Sequence, residues 1–100
     1  MKQIPKRVMI VSFDAVGAKD LEYLQTLPNF QRFFEQAALC SHVNSVCPSL
    51  TYPAHTSIVT GRMPKNHGIV NNTKIQSNRK DPDWLYHRKW IRSTTLYDEA

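Results

Sequence analysis

Hydrophobic positions along the first third of the chain change their period twice. Residues Arg7 to Phe13, RVMIVSF, form a near-continuous apolar run rich in β-formers, the pattern of a strand buried on both faces of a parallel sheet. DAVGAKDLEYLQTLP follows, with Gly17 for a turn and Leu21 and Leu24 spaced for one helix face. Pro28 ends that element and can open the next. In PNFQRFFEQAALCS, Phe30, Phe33, Phe34 and Ala37 fall at i, i+3, i+4 and i+7, the stripe of an amphipathic helix. SHVNSVC, 41–47, alternates enough to predict a second strand. PSLTYPAHTSIVTG then predicts a helix through Ile58 and Val59, with Thr51 as N-cap and Gly61 closing its C-terminal end. Pro53 would lie in the first turn, where a missing N–H does little harm.

The order strand, helices, strand, helix argues for an α/β domain. After Gly61 the composition predicts loop to about Thr73, and then a basic, aromatic segment, KIQSNRKDPDWLYHRKWIR. The final STTLYDEA is a helix-start signal, with hydroxyls ahead of an apolar residue and Asp98 and Glu99 in the first turn. A helix that starts so close to Ala100 leads us to expect a truncated protein.

Composition narrows the class. One hundred residues suit one small domain, and 41% hydrophobic content with ten aromatics (four Phe, four Tyr, two Trp) argues against wholesale disorder. The net charge of +5 is mostly local: Lys74 to Arg92 holds six basic and two acidic residues. The high pI therefore describes one segment rather than a nucleic-acid-binding surface spread over the fold. The N-terminal apolar run is too short for a signal peptide and ends at Asp14, and no stretch approaches the length of a membrane span. Two cysteines, Cys40 and Cys47, without a secretory signal make reduced thiols and a cytoplasmic location the expectation.

Two residues stand out as candidates for chemistry. Asp14 directly follows the predicted first strand, at the carboxyl end where α/β sheets place their ligand sites. Thr51 sits at a predicted helix N-terminus after the second strand. Parallel neighbouring strands would bring both to one sheet edge, where a carboxylate, a hydroxyl and helix N–H groups suit a bound metal and a phosphate.

The stretches VSFDAVGAKDLEYL and PSLTYPAHTSIVTGRMPKNHGIVNN carry a resemblance. The ordered pattern T-[YF]-P-x-H, T-G, P-x-x-H-G-I, N resembles the type I phosphodiesterase/nucleotide pyrophosphatase family of the alkaline phosphatase superfamily. It runs from about Val8 to Asn72, and the TTLYDEA ending resembles the family's next helix start. The resemblance implies an alkaline-phosphatase-like α/β fold with a mostly parallel central sheet flanked by helices, present here only as the N-terminal portion of a single catalytic domain. It implies two divalent metal ions, of the zinc type, with Asp14 a ligand of one. Thr51 is then a metal-bound nucleophile that forms a phospho-threonine intermediate, and Asn72 donates a hydrogen bond to a phosphoryl oxygen. The substrate is a small phosphodiester or a nucleotide pyrophosphate. The family's remaining metal ligands lie beyond residue 100, so the chain alone is expected to be inactive.

Blander readings stand beside these. Asp14 could be a turn residue and Thr51 a plain N-cap. Ser49 and Cys47 are rival nucleophiles, but a sulfatase-type site needs Cys or Ser followed by x-P-x-R, and CPSLT has its proline one place early and no arginine. His55, four residues after Thr51, could be a base; metal activation makes one redundant, so it is read as fixing the loop. His67 reads as a loop organiser, Asn71 as a turn residue, and His42 and His87 as surface or packing residues. The WLYHRKW stretch, 84–90, is either a platform for a base or phosphate tail or a packed aromatic face, and we expect the second. The competing function is a small basic domain binding anions or nucleic acid without catalysis.

Overall fold

The computed structural model describes residues 7–100, so the basic lead-in with Lys2 and Lys6 lies outside the described residues. The chain divides into two compact units, 1–43 and 44–100, each described here by itself.

In the first unit, α1 (Asp20–Thr26) and α2 (Pro28–Phe34) form a helical hairpin. Its start follows the expected turn: the Gly17 N–H donates to the Asp20 carboxylate at 2.7 Å. Leu21 and Leu24 are half-buried, as their spacing predicts. Leu27 is extended and Pro28 takes the first position of α2, so the proline ends one helix and opens the next. The phenylalanine stripe forms a ring cluster, with Phe13–Phe30, Phe30–Phe34 and Phe33–Phe34 centroids 6.4, 6.2 and 6.0 Å apart. The regular helix stops at Phe34, three residues short of Ala37. Tighter turns continue it, with Gln36 N–H to Phe33 O at 3.2 Å and Ala37 N–H to Phe34 O at 3.4 Å.

The expected strands are not formed. Residues 7–13 and 41–47 hold no regular secondary structure and pair with no strand among the described residues. Met9 is 86% exposed and Val8 80%. A doubly buried strand takes its stability from neighbours that complete its hydrogen bonds and from helices over both faces. Neither is supplied here, so no parallel sheet forms among the described residues.

The second unit holds every buried residue of the described chain: Pro53, Thr56, Pro64, His67, Ile69 and Thr95. Helix α3 (Thr51–Thr60) ends as expected at Gly61, left-handed at φ 63°, whose N–H bonds the Ser57 carbonyl at 2.9 Å. Its N-cap is Leu50 rather than Thr51, which occupies the first helical position. The segment expected to be loop contains a one-turn helix, α4 (Pro64–His67), framed by Pro64 at its start and Gly68 at φ 85° after its end. Beyond it an antiparallel bridge joins Thr73 to Trp84, flanked by Leu85 N–H to Asn72 O and Lys74 N–H to Asp83 O, both 2.8 Å. The predicted last helix is α5 (Leu96–Glu99), held by a Thr95/Asp98 capping box and packed on α3.

Candidate functional site

The N-terminus of α3 organises the site. Because Leu50 is the cap, the Thr51 hydroxyl is not spent on capping and is available for other chemistry. The first-turn N–H groups are largely committed: Ala54 donates to Leu50 O at 3.0 Å, Pro53 has none, and Tyr52 donates to Asn72 Oδ1 at 2.8 Å. Among the described residues only the Thr51 N–H is left of that set. The expected cradle of several helix N–H groups is therefore much reduced, and a side chain takes its place.

That side chain is Asn72. Its backbone is held from both sides, with its N–H donating to Asn71 Oδ1 at 2.8 Å and its carbonyl accepting from Leu85. Asn71 thus serves the turn, as expected. Since an N–H can only donate, the Asn72 carboxamide must face Tyr52 through its oxygen, which leaves the NH2 as the end able to donate elsewhere. Asn72 lies 21 residues after Thr51 in sequence, and this one bond brings the carboxamide beside the residue that follows the hydroxyl.

His55 binds the Thr51 carbonyl through Nδ1 at 2.9 Å. A carbonyl can only accept, so Nδ1 carries the proton and the ring braces the first turn instead of facing the hydroxyl through that nitrogen. His67 is fully buried; its Nδ1 accepts from Ile69 N–H at 3.1 Å and its Nε2 meets Ser57 Oγ at 2.9 Å. Burial lowers its pKa from 6.5, partly offset by a hydrogen bond to the Pro53 backbone. The loop-organiser role is thus given definite partners.

Asp14 belongs to the first unit. It is exposed, and its Oδ1 accepts from the Ala15 N–H at 2.9 Å, so the turn role is realised. Ala15 sits at φ 60°, a conformation that is costly for a residue with a Cβ. No group of three or more His, Cys, Asp or Glu positioned for a metal exists among the described residues. Both cysteines are free and exposed. No helix among the described residues is long and apolar enough to cross a membrane.

The basic segment is largely occupied with itself. The Asp83 carboxylate accepts from Lys74 at 3.1 Å, from Gln76 at 3.2 Å and from Arg79, with its pKa lowered first by Lys74 and then by Gln76. Arg88 bonds Asp98, whose pKa falls to about 2 through Arg88 and then Thr95. The aromatics of 84–90 are only partly packed: Trp84, Tyr86 and Trp90 remain exposed, although the Trp84 ring lies 5.6 Å from Tyr52 and Lys74 and Lys89 sit 4.6 and 5.0 Å from the Trp90 ring. Lys74, Lys89, Trp84 and Trp90 also line a cleft of about 510 Å³. These ion pairs take up three of the segment's six cations, which weakens the case for a dedicated polyanion surface.

Comparison with known proteins places these observations. The profile of the type I phosphodiesterase / nucleotide pyrophosphatase family matches residues 8–100. Mouse bis(5'-adenosyl)-triphosphatase enpp4 is 39% identical over 89 residues, covering 78% of this chain and 19% of its own length. The human ENPP4 protein of the same name is 37% identical, over 81% of this chain and 20% of its own. Human ectonucleotide pyrophosphatase/phosphodiesterase family member 5 is 32% identical, over 95% and 20% respectively. The chain therefore spans about a fifth of the curated relatives it matches. No solved structure matches it. The family implies an alkaline-phosphatase-like α/β fold of the metal-dependent type. On the match over residues 8–100, the chain belongs to the type I phosphodiesterase / nucleotide pyrophosphatase family.

Proposed function

We propose that this chain supplies the nucleophile and one metal ligand of a phosphodiesterase/nucleotide pyrophosphatase catalytic domain. The observation that carries the reading is the Asn72 carboxamide docked on the Tyr52 N–H, which keeps a hydrogen-bond donor next to the Thr51 position. In this reading the Thr51 oxygen attacks phosphorus in line. The leaving ester oxygen departs, and the phospho-threonine keeps the other ester group until water attacks phosphorus, breaks the bond to the Thr51 oxygen and releases the phosphomonoester. The Asn72 NH2 donates to a non-bridging phosphoryl oxygen as charge builds there.

The donor set fits a hard or borderline divalent ion, since Asp14 offers an exposed carboxylate and Thr51 an uncapped hydroxyl. Two such oxygens cannot complete two sites, so further ligands must come from other segments of the catalytic domain. Two zinc ions, when bound, would lower the hydroxyl's pKa and stabilise the attacking and leaving oxygens. In the same reading residues 7–13 and 41–47 each become a strand of the central sheet once partner strands flank them. The substrates of the relatives, bis(5'-adenosyl) triphosphate among them by name, suggest a nucleotide with a phosphoanhydride or phosphodiester bond.

The test is Thr51→Ala in the full-length protein, with turnover of an aryl phosphodiester and bound metal measured together. Loss of turnover with metal retained is expected; undiminished turnover would overturn the proposal.

A further inference from the structure

His67 is the most buried polar side chain among the described residues, and nothing in the proposed chemistry uses it. Its imidazole closes a loop of contacts that begins and ends on α3. The Nε2 edge meets Ser57 Oγ at 2.9 Å, and the ring also bonds the Pro53 backbone, both on α3. The Nδ1 edge accepts the Ile69 N–H at 3.1 Å, on the strand-like segment that leads three residues later to Asn72. Asn72 then returns to α3 through Tyr52 at 2.8 Å. The His67 carbonyl is itself fixed by Arg92 N–H at 2.9 Å, and the Arg92 side chain packs so close over Gly68 that a Cβ there would lie 3.0 Å from its Cδ.

We infer that His67, as the neutral Nε2–H tautomer, is a positioning residue that sets the Ile69–Asn72 segment so that the Asn72 carboxamide docks beside Thr51. The tautomer follows from the partners: Ile69 offers an N–H, so Nδ1 must be bare, and the remaining proton sits on Nε2, directed to Ser57 or Pro53. An imidazolium would oppose two donors at Nδ1. The inference rests on the reading of Thr51 and Asn72 above, yet it predicts a geometric effect that can be measured without catalysis.

The experiment uses the full-length protein with His67→Phe, which keeps a planar ring and removes its hydrogen bonds, and with Ser57→Ala, which removes only the Oγ contact to Nε2 should the first variant fail to fold. Amide hydrogen exchange at Tyr52 is read first. Faster exchange in both variants is expected; exchange unchanged from wild type would overturn the inference. Turnover of an aryl phosphodiester is read second, where a displacement on the order of 1 Å predicts about a 10²-fold fall in kcat for His67→Phe with KM little altered. In a cycle with Asn72→Ala the double variant should be no worse than Asn72→Ala alone. Additive losses would instead mean that His67 acts only on stability, and the inference fails. If Thr51→Ala proves active, the nucleophile reading falls, while the Tyr52 exchange result still decides this one.

Discussion

Two substitutions at Asn72 separate its structural task from its chemical one. Asn72→Ala removes the acceptor of the Tyr52 N–H, a part-buried bond of 2.8 Å that caps the first turn of α3. Loss of such a cap costs about 1 kcal/mol, and the orphaned N–H keeps the loss near that figure. The same change removes the donor assigned to the phosphoryl oxygen, for which the precedent of oxyanion-hole donors gives about 10²–10³ in kcat. Asn72→Asp behaves differently. It keeps an acceptor for Tyr52 and puts a negative charge at the positive end of a ten-residue helix, worth about 0.3–1 kcal/mol in favour of the fold. It nevertheless lacks the donor and repels the substrate phosphate, so turnover should fall at least as far as in the alanine variant. Urea unfolding followed through Trp84, whose ring lies 5.6 Å from Tyr52, gives stability, and steady-state hydrolysis of an aryl phosphodiester gives activity, both on the full-length protein. Equal destabilisation by Asp and Ala would refute the capping geometry. Wild-type turnover in either variant would refute the donor role.

The remaining predictions concern stability. Because the folded pKa of His67 lies below 6.5, its neutral staple contributes fully above that pH and is progressively lost as pH falls from there to the folded value; pH-dependent denaturation should lose this slope in His67→Phe. Asp98, lowered to about 2, should keep the α5 cap intact well below the usual carboxylate range, weakening only as pH falls through 3.8 toward about 2, and Asp98→Asn should abolish that acid limb. Thr95→Ala, at a buried cap, should cost about 1 kcal/mol in urea unfolding. Gly61→Ala, at φ 63° with open space around it, should cost about 1–2 kcal/mol, and Gly68→Ala clearly more, since Arg92 must also move; equal costs would contradict the packing.

Elements with a local cause were readable from the chain. Pro28, Gly61 and the Thr95/Asp98 pair act within a few residues of themselves, and each does in the structure what its chemistry predicts. The Leu21/Leu24 face behaves likewise. Residues 7–13 and 41–47 failed as strands because a strand's hydrogen bonds are supplied by other segments, and an apolar run specifies no partner. The one-turn α4 was signalled by Pro64 and Gly68 but masked by the polar residues between them. At the site, Thr51 and Asn72 were singled out by a family pattern, whereas their meeting through Tyr52 depends on a contact across 20 residues that no local rule encodes. Likewise Thr51 was expected to cap its helix, yet Leu50 does so by backbone conformation alone, since no side chain announces a cap of that kind. The local charge excess from Lys74 to Arg92 was legible in the sequence, whereas its pairing with Asp83 and Asp98 depends on contacts made by the fold.

The most direct measurement is a rapid acid quench of the full-length protein during turnover of an aryl phosphodiester, followed by peptide mass spectrometry. The account predicts a phosphoryl adduct, still bearing the retained ester group, on the hydroxyl of Thr51. An adduct on any other residue, Cys47 and Ser49 included, or steady turnover by Thr51→Ala, would contradict it.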